Sequence, residues 1–365
     1  MKKEKTRRMS RRQFIAVTGT VSAALIVGMN GSCKPSPDTG RVALKKVLTY
    51  DTNSLRQALA GMFDDIGGLD HIISAGDRVA IKINLTGGGT GAEMVRSAFG
   101  LEPGQAHWTH PEVVRAVGEL VRDAGAGTIY IIDGVFDGIS YANYGYSAVA
   151  AALAAELLDL NSPSPYGSFV SYPVGSDWLV YDHFVFNRLI NEVDCFISIA
   201  KMKCHQNAGV TLGLKNLFGL VPTSAYELNP GDGMRSALHG SGSQYQTRVP
   251  RAIVDLARAR PIHLSIIDGI KTIEAGEGPW ISTANPVAPG VLLAGRDPVA
   301  VDAVALAVMG FDPEAATFAA PFLNGENHLA LASLRGVGTN QLDDIDVVGD
   351  SIAAARYPFT PCLRL

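Results

Sequence analysis

The sequence predicts an α/β fold in which helices flank a mainly parallel sheet. Short apolar segments of strand length alternate with helical segments from residue 42 to about residue 350. Apolar residues make up 47% of the 365 residues and charged residues 18%, which is enough to bury a large core. Two apolar segments also end alike, in Ile-Ile-Asp-Gly at 131–134 and 266–269. This repetition leaves open whether the chain forms a single sheet or two related α/β halves.

Each element is predicted from a local pattern. Strands are predicted where apolar residues run or alternate over a short stretch, at 42–50, 78–84, 128–133, 169–172, 178–186, 195–200, 262–268, 291–294 and 344–348. Helices are predicted from helical periodicity or Ala-rich composition at 54–66, 110–124, 147–158, 248–260 and 297–309, and from about residue 210. Pro111 and Pro298 both fall in a first helical turn, where their missing N–H groups do no harm.

Residues 1–33 look like a twin-arginine export signal. The arginine pair at 11–12 and Phe14 introduce a modest apolar run at 14–29, which is short for a membrane-spanning helix. A basic tail or a short anchor is the alternative. The signal predicts the twin-arginine translocase as a partner and a location in the periplasm or cell envelope.

The segments around the main domain follow from this signal. If Cys33 is lipidated, the mature protein is anchored at the membrane surface, and if it is removed, the mature protein is soluble. Residues 34–41 are predicted to be a linker, because they are rich in Pro and Ser. Residues 42–350 then form the main domain, and 351–365 a C-terminal tail.

Charge and cysteine content exclude several classes of protein. The first 33 positions hold seven of the 31 basic residues and one of the 35 acidic residues. The rest of the chain has 24 basic against 34 acidic residues, a net charge of −10, which argues against nucleic-acid binding. Four cysteines without a CxxC spacing exclude a disulfide-dense scaffold, a zinc ribbon and an iron–sulfur cluster loop.

The densest group of reactive side chains follows the strand predicted at 195–200. Lys201, Lys203 and His205 alternate along an extended stretch and therefore share one side of it. Cys204 points to the other side, so its thiol and the imidazole are not expected to share a site. Clustered cations at the end of a strand predict that Lys201 and Lys203 bind an anionic substrate.

Lys215 and Asn216 extend this group near the start of the helix predicted from about residue 210. Helix N-termini favour anions, and neighbouring cations lower the pKa of a lysine, which makes its amine a better nucleophile or base. The sequence therefore predicts Lys215 and His205 as catalytic residues and Asn216 as a substrate-binding residue. A solvated lysine beside an apolar stripe is the alternative for Lys215.

Further candidate substrate-binding residues stand at the ends of predicted strands. Lys82 and Asn84 precede the glycine-rich run 87–91, whose backbone N–H groups can approach an anion if it is not simply a flexible loop. Asp133 and Asp268 end the two similar strands, and ligands of parallel sheets bind at the carboxyl ends of strands. A cap on a turn is the alternative for each aspartate.

Three histidines are candidates for a metal site. His110 precedes a helix, where it either faces a ligand or caps the helix, and His239 lies in a loop without an evident packing role. Neutral imidazoles of His110, His205 and His239 suit nickel or zinc if they converge. The sequence therefore predicts His205 and His239 as metal ligands and leaves the identity of any cofactor open.

Longer motifs identify the chain as a member of the domain of unknown function 362 family. They include Lys82-Ile83-Asn84, Thr109 to Val114, Gly276-Glu277-Gly278-Pro279, Ala294 to Asp302, and the segment 194–222. The resemblance covers roughly residues 42–350. Many members of this family carry iron–sulfur motifs, which this chain lacks, and the resemblance implies little about the reaction.

A more distant resemblance connects 194–222 with the central motif of nickel-pincer lactate racemases. The ten-residue separation of His205 and Lys215 is similar to that motif. It implies that Lys215 holds a nucleotide-derived cofactor or a substrate covalently, that His205 transfers protons, and that His239 binds the metal. The glycine pair of the racemases is Leu212-Gly213 here, so one of its glycines is missing.

Two functions follow from these residues. The first is an exported enzyme that acts on a small anionic substrate, such as an organic acid, by lysine and histidine chemistry, with a metal or a nucleotide-derived cofactor as an option. The second is a non-catalytic protein of the cell envelope that binds an anionic ligand or a metal. The sequence leaves open which of the two applies.

Overall fold

The apolar segments form fourteen strands in the computed structural model, which describes residues 40–363. In chain order they are β1 (Arg41–Lys46), β2 (Arg78–Lys82), β3 (Thr128–Asp133), β4 (Glu156–Asp159), β5 (Val170–Pro173), β6 (His183–Phe186), β7 (Cys195–Lys201), β8 (Lys203–His205), β9 (Gly209–Thr211), β10 (Leu264–Gly269), β11 (Thr272–Glu274), β12 (Asn285–Val287), β13 (Val291–Gly295) and β14 (Asp346–Gly349). Eight of them form one sheet in the order β14-β1-β13-β10-β7-β2-β3-β4.

This sheet is mainly parallel. β13 pairs antiparallel with β1 and β10, and the other neighbouring pairs are parallel. The smaller pairs β5–β6, β8–β9 and β11–β12 are antiparallel. The predicted α/β class is therefore confirmed, and the two Ile-Ile-Asp-Gly segments lie on β3 and β10 of the same sheet.

Helices connect the strands. The α-helices of the described chain are Thr52–Asp65, Gly88–Phe99, Pro111–Asp123, Ile139–Ala142, Tyr146–Leu153, Leu189–Glu192, Thr223–Tyr226, Ser236–His239, Tyr245–Ala259, Pro298–Val308, His328–Leu334 and Ile352–Ala355. Short 3-10 helices span Pro103–Gln105, Lys215–Leu220, Gly242–Gln244 and Leu342–Asp344. Between residues 40 and 363, no helix has the length and apolar character needed to cross a membrane.

The central strands separate two apolar cores. On β7, Phe196 and Ala200 pack into one core, and Ile197 and Ile199 pack into the other. This alternation follows from the two-residue repeat of a strand. Because both faces of β7 are covered, a ligand can approach the strand only at its ends.

The carboxyl ends of four adjacent parallel strands, β10, β7, β2 and β3, lie along one edge of the sheet. β2 ends at Lys82, β3 at Asp133 and β7 at Lys201. Asp268 of β10 is in register with Lys201. The parallel pairing thus gathers charged side chains from separate parts of the sequence.

The glycine-rich run 87–91 is not a flexible loop, because a helix begins at Gly88. Gly87 and Gly88 have φ angles of 82° and 58°, in the left-handed region that favours glycine. A Cβ atom on Gly87 would lie 2.5 Å from the ring of Trp280. These glycines therefore permit a sharp entry into the helix and a close contact with an aromatic ring.

The helix predicted from about residue 210 is wrong. Gly209 has a φ of 76°, which a right-handed helix does not allow, and it pairs with His205 across the β8–β9 hairpin. Only the 3-10 helix Lys215–Leu220 follows. Lys215 and Asn216 are buried in it, so the alternative of a solvated lysine at position 215 is wrong.

The helix predicted at 147–158 is too long. Ala154 adopts a left-handed φ of 47° and ends the helix Tyr146–Leu153, and β4 follows. The predicted tail contains a helix, and both Phe359 and Cys362 are buried. The predicted signal at 1–33, including Cys33, and most of the linker lie outside the described residues.

Candidate functional site

A cavity of about 490 Å³ opens at the carboxyl edge of the sheet. Its wall combines the ends of β2 and β3 with the β8–β9 hairpin and the 3-10 helix Lys215–Leu220. Most predicted site residues line this cavity, namely Lys82, Asn84, Asp133, Lys203, His205, Lys215, Asn216 and His239. The fold therefore brings together residues more than 150 positions apart.

Lys82 and Asp133 form a buried ion pair in this wall. The Lys82 ammonium lies 2.7 Å from Oδ1 of Asp133 and donates to the carbonyl of Ile83 and to Oδ1 of Asn216. The second oxygen of Asp133 accepts the N–H of Leu85. Burial lowers the pKa of Lys82, and the Asp133 carboxylate opposes that shift. Lys82 and Asp133, which were both predicted to bind substrate, are thus paired with each other.

Lys215 differs from Lys82 because its amine has no hydrogen bond or ion pair with any residue in the described chain. Nζ lies 3.7 Å from the ring centroid of Phe218, as a cation–π contact. The side chain is 8% exposed. Burial lowers its pKa to about 7, which Arg235 and Lys82 reinforce and Glu277 opposes. A large fraction of this amine is therefore uncharged near neutral pH.

An aspartate of a neighbouring helix holds the loop before Lys215 in place. Asp302, in the helix Pro298–Val308, accepts the N–H groups of Gly213 and Leu214 at 2.8 and 3.0 Å. A Cβ atom on Gly213 would collide with the hydroxyl of Ser265. The single glycine that remains of the expected pair thus has a packing role.

Lys203 also has a lowered pKa, but its amine is fixed. It donates to the carbonyls of His107 and Glu277 at 3.0 and 2.7 Å and is 1% exposed. Burial lowers its pKa to about 7, the Glu277 carboxylate opposes the shift, and the Lys215 amine reinforces it. Lys203 therefore supplies charge to the cavity while its position is held by the backbone.

Arg235 adds a cation that sequence analysis missed. Nε donates to the carbonyl of Val221, and Nη2 donates to the carbonyl of Gly134 and to Oδ1 of Asn161. Nη1 has no acceptor within residues 40–363, and the side chain lines the cavity. The guanidinium is thus oriented by three contacts and keeps donors for a ligand.

The hydrogen bonds of His205 identify its tautomer. Nδ1 accepts the backbone N–H groups of Asn207 and Ala208 at 3.1 and 3.3 Å. Burial and the nearby Lys215 amine lower its pKa well below the ordinary value, so the ring is neutral. The proton of a neutral ring then resides on Nε2. His205 therefore donates a hydrogen bond and does not provide the base that was predicted.

His239 has the opposite tautomer. Its Nδ1 lies 3.1 Å from the carbonyl oxygen of Arg235 and donates to it, so Nε2 keeps its lone pair. Burial, followed by the Lys215 amine, lowers its pKa to about 4. Its ring contacts Phe218, the residue that also contacts Lys215. Nε2 of His239 is therefore a hydrogen-bond acceptor near this amine.

Two buried polar atoms in the cavity wall have no hydrogen-bond partner among the described residues. They are Oδ1 of Asn207 and Oγ1 of Thr211. Such atoms are costly to leave unpaired. Both atoms therefore keep unused hydrogen-bonding capacity in the wall of the cavity.

Lys201, Asp268 and His110 were predicted to bind substrate, but they form a separate buried cluster outside the cavity lining. Lys201 donates to Asp268 at 2.8 Å, to the carbonyl of Gly104 and to the hydroxyl of Tyr50. His110 stacks on Tyr50 with ring centroids 3.6 Å apart, and its Nδ1 caps the helix that begins at Pro111. The register of β7 and β10 opposes the two charges directly, and each satisfies the other.

The predicted metal site is not assembled. His110 does not reach the cavity, and in the part of the chain that the structure describes no group of three or more His, Cys, Asp or Glu side chains is arranged to hold a metal ion. The Nε2–H of His205 does not suit metal ligation, which requires a free lone pair. His205 and His239 therefore do not fit the nickel centre that the racemase resemblance implies.

Sequence analysis missed several cavity residues for different reasons. Glu277 lies within the Gly276-to-Pro279 motif that carries the family resemblance, so a signal for it was present. Asn207 and Thr211 lie within the segment 194–222, which also carries that resemblance, whereas Arg235 lies in no recognisable motif. Only the tertiary structure brings Arg235 to the cavity.

Comparisons with known proteins agree with the motifs. The family model described as "Domain of unknown function (DUF362)" matches residues 79–307. A protein of Synechocystis sp. named as thylakoid-associated is 30% identical over 276 residues, which are 74% of this chain and 75% of that protein. A crystal structure from Thermotoga maritima aligns with a TM-score of 0.36 and 9% identity, over 63% of this chain and 52% of that chain. The last likeness is too low to inform function.

Gly219→Ala is expected to disrupt the Lys82–Asp133 pair. The added Cβ would lie 2.7 Å from Nζ of Lys82 and closer still to Oδ1 of Asp133. We expect a loss of about 1–3 kcal/mol in the free energy of unfolding, measured with urea. Gly61→Ala is the control, because its Cβ would meet nothing within 4 Å in a helix, and it should gain about 0.4–1 kcal/mol. Equal effects of the two changes would contradict this packing.

Lys215→Met is expected to stabilise the protein in a pH-dependent manner. The pKa of Lys215 is about 7 in the folded chain and about 10.4 in an unfolded chain. The unfolded chain therefore binds more protons between these values, so the destabilisation by Lys215 is full below pH 7 and vanishes towards pH 10.

Urea unfolding at pH 6.5 and pH 9.5 measures this effect. Lys215→Met should gain about 1–4 kcal/mol at pH 6.5 and less at pH 9.5, and exposed Lys45→Met should show no such difference. A Lys215→Met variant that is less stable at both pH values would show that the amine holds the structure together.

Proposed function

This chain belongs to the domain of unknown function 362 family, whose name gives no reaction, so we infer its function from the site. We propose that it is an enzyme that binds an organic anion in the cavity and reacts with it through the amine of Lys215. The observation that carries this proposal is the state of that amine. It is buried, has no hydrogen-bond or ion-pair partner among the described residues, and has a pKa lowered to about 7. A structural lysine would normally have an acceptor.

The charges of the cavity wall support an anionic substrate. Lys82 is neutralised by Asp133, which leaves Lys203, Lys215 and Arg235 against the single carboxylate of Glu277 among the charged lining residues. Nη1 of Arg235 and the fixed ammonium of Lys203 offer donors to a carboxylate. The cations of the lining, Arg235 among them, therefore favour an organic acid as the ligand.

A carbonyl group beside this carboxylate is the chemistry that Lys215 suits best. The uncharged amine attacks the carbonyl carbon and forms a C–N bond. The nitrogen loses its protons, the carbonyl oxygen gains them, and water leaves as an imine forms. His239, with a free Nε2 lone pair, accepts a hydrogen bond from the attacking amine, and His205 donates a hydrogen bond from Nε2 to the oxygen.

A non-catalytic binding protein is the alternative. Backbone carbonyls hold the side chains of Arg235 and Lys203 in place without a ligand. Such preorganised donors favour a binding protein, because a high-affinity site needs them too. The two functions differ in whether Lys215 becomes covalently modified.

We infer that the protein acts after export from the cytoplasm. The twin-arginine pattern at 11–14 supports this, and the export of folded proteins by this route is compatible with a site assembled from distant segments. The name of the Synechocystis relative places that protein at a membrane system.

Reductive trapping tests the covalent step. The full chain is incubated with pyruvate, phenylpyruvate or 2-oxoglutarate and with sodium cyanoborohydride, which reduces an imine to a stable secondary amine. We expect one adduct per chain, with Lys215 as the modified residue in peptide mass spectrometry. Labelling should increase as pH rises through about 7, because the pKa of Lys215 lies there.

Two variants make this test specific. Lys215→Met should abolish the adduct, whereas Lys45→Met, which removes an exposed lysine, should leave it unchanged. Anion binding without any adduct in the wild-type protein would favour the binding protein instead. An adduct spread over exposed lysines would refute a special role of Lys215.

Replacement of both arginines at 11 and 12 by lysine tests export. The paired change should keep the precursor in the cytoplasm of a host with a twin-arginine translocase, as cell fractionation and immunoblotting would show. Undiminished export of this variant would contradict the proposed route.

A further inference from the structure

Three large apolar side chains of the cavity lining are partly exposed to solvent. They are Phe136, Met234 and Trp280, which are 46%, 59% and 38% exposed. We call these three residues the apolar rim. Exposed apolar side chains that are scattered singly need no explanation, but a group in the lining of a polar site indicates contact with a ligand or partner.

The rim comes from three separate segments, each tied to a polar residue of the cavity. Phe136 follows the end of β3, Met234 adjoins Arg235, and Trp280 lies three positions after Glu277. A single loop does not account for this convergence. The arrangement combines exposed apolar side chains and cations in the lining of one cavity.

Trp280 is held in place. Its Nε1 donates to Oε1 of Glu277 at 3.2 Å, and its ring lies so close to Gly87 and Gly278 that a Cβ atom at either position would collide with it. Both glycines therefore make room for the indole. A tryptophan that is positioned by a hydrogen bond yet partly exposed keeps an open ring surface for contact.

We propose that the organic anion of this site is amphipathic, with a carboxylate that the buried cations bind and an aryl body that the apolar rim covers. This proposal rests on the proposed function and adds the substrate class. A cavity of about 490 Å³ falls within the range of about 300–1,000 Å³ that encloses drug-sized ligands, and it exceeds what a three-carbon acid fills. An aryl acid fills it and shields the Lys215 amine from water.

Isothermal titration calorimetry, which measures the affinities for a matched pair of acids, tests this inference. The probes are 3-phenylpropionate and propionate, which share the carboxylate and differ in the aryl group. The wild-type protein should bind the aryl acid about tenfold or more tightly than propionate. Trp280→Ala should reduce this ratio about three- to tenfold.

Two further variants control for folding and for general loss of tryptophan. Trp178→Ala removes a tryptophan that is 51% exposed and does not line the cavity, and it should leave the ratio unchanged. Met234→Ser replaces a rim side chain that is 59% exposed and makes no contribution to the core, and it should lower the ratio in the same direction as Trp280→Ala.

The outcomes separate the two proposals. Equal binding of both acids by the wild-type protein overturns the aryl preference but leaves the anion site intact. Failure to bind either acid overturns the anion site and the aryl preference together. A third outcome is that neither rim variant changes the ratio of the two affinities, while both variants weaken binding to phospholipid vesicles. This outcome would assign the rim to a membrane surface instead.

Discussion

The site depends on which hydrogen-bond acceptors this fold provides for the lysine amines that it buries at one edge of the sheet. Lys82 and Lys201 each have a carboxylate and further acceptors, and Lys203 has two backbone carbonyls. Lys215 has only an aromatic ring among the described residues. Burying an ammonium without an acceptor is unfavourable, so the proton is held weakly. The property that makes Lys215 costly for stability is the one that makes its amine reactive.

The two cavity imidazoles are divided by their backbone contacts. The hairpin donates two N–H groups to Nδ1 of His205, and a carbonyl accepts from Nδ1 of His239. One ring therefore presents a proton and the other a lone pair. This division suits one hydrogen-bond donor and one acceptor beside Lys215 better than it suits a shared metal ion. It also makes His239, rather than His205, the partner of the amine in the proposed reaction.

The motifs of the family correspond to different physical tasks. Lys82 belongs to a wall held by a buried ion pair, Asp302 restrains the loop before Lys215, and Glu277 orients Trp280 in the cavity lining. The first two hold the cavity in shape, whereas the third links its polar interior to an exposed rim. Family resemblance alone does not separate these tasks, because each appears in the sequence as an ordered motif.

The sequence by itself determined the α/β class, the principal strands and the five lysines and histidines that line the cavity, because periodicity and local charge can be read along the chain. It did not determine that Gly209 starts a hairpin strand, since that depends on a left-handed backbone and a cross-strand partner. Nor did it separate Lys201 from Lys215. The register of β7 and β10 opposes Lys201 to a carboxylate, whereas no acceptor reaches Lys215 from the described residues. Only the tertiary structure decides which buried charge is paired, because the partner comes from a strand distant in sequence.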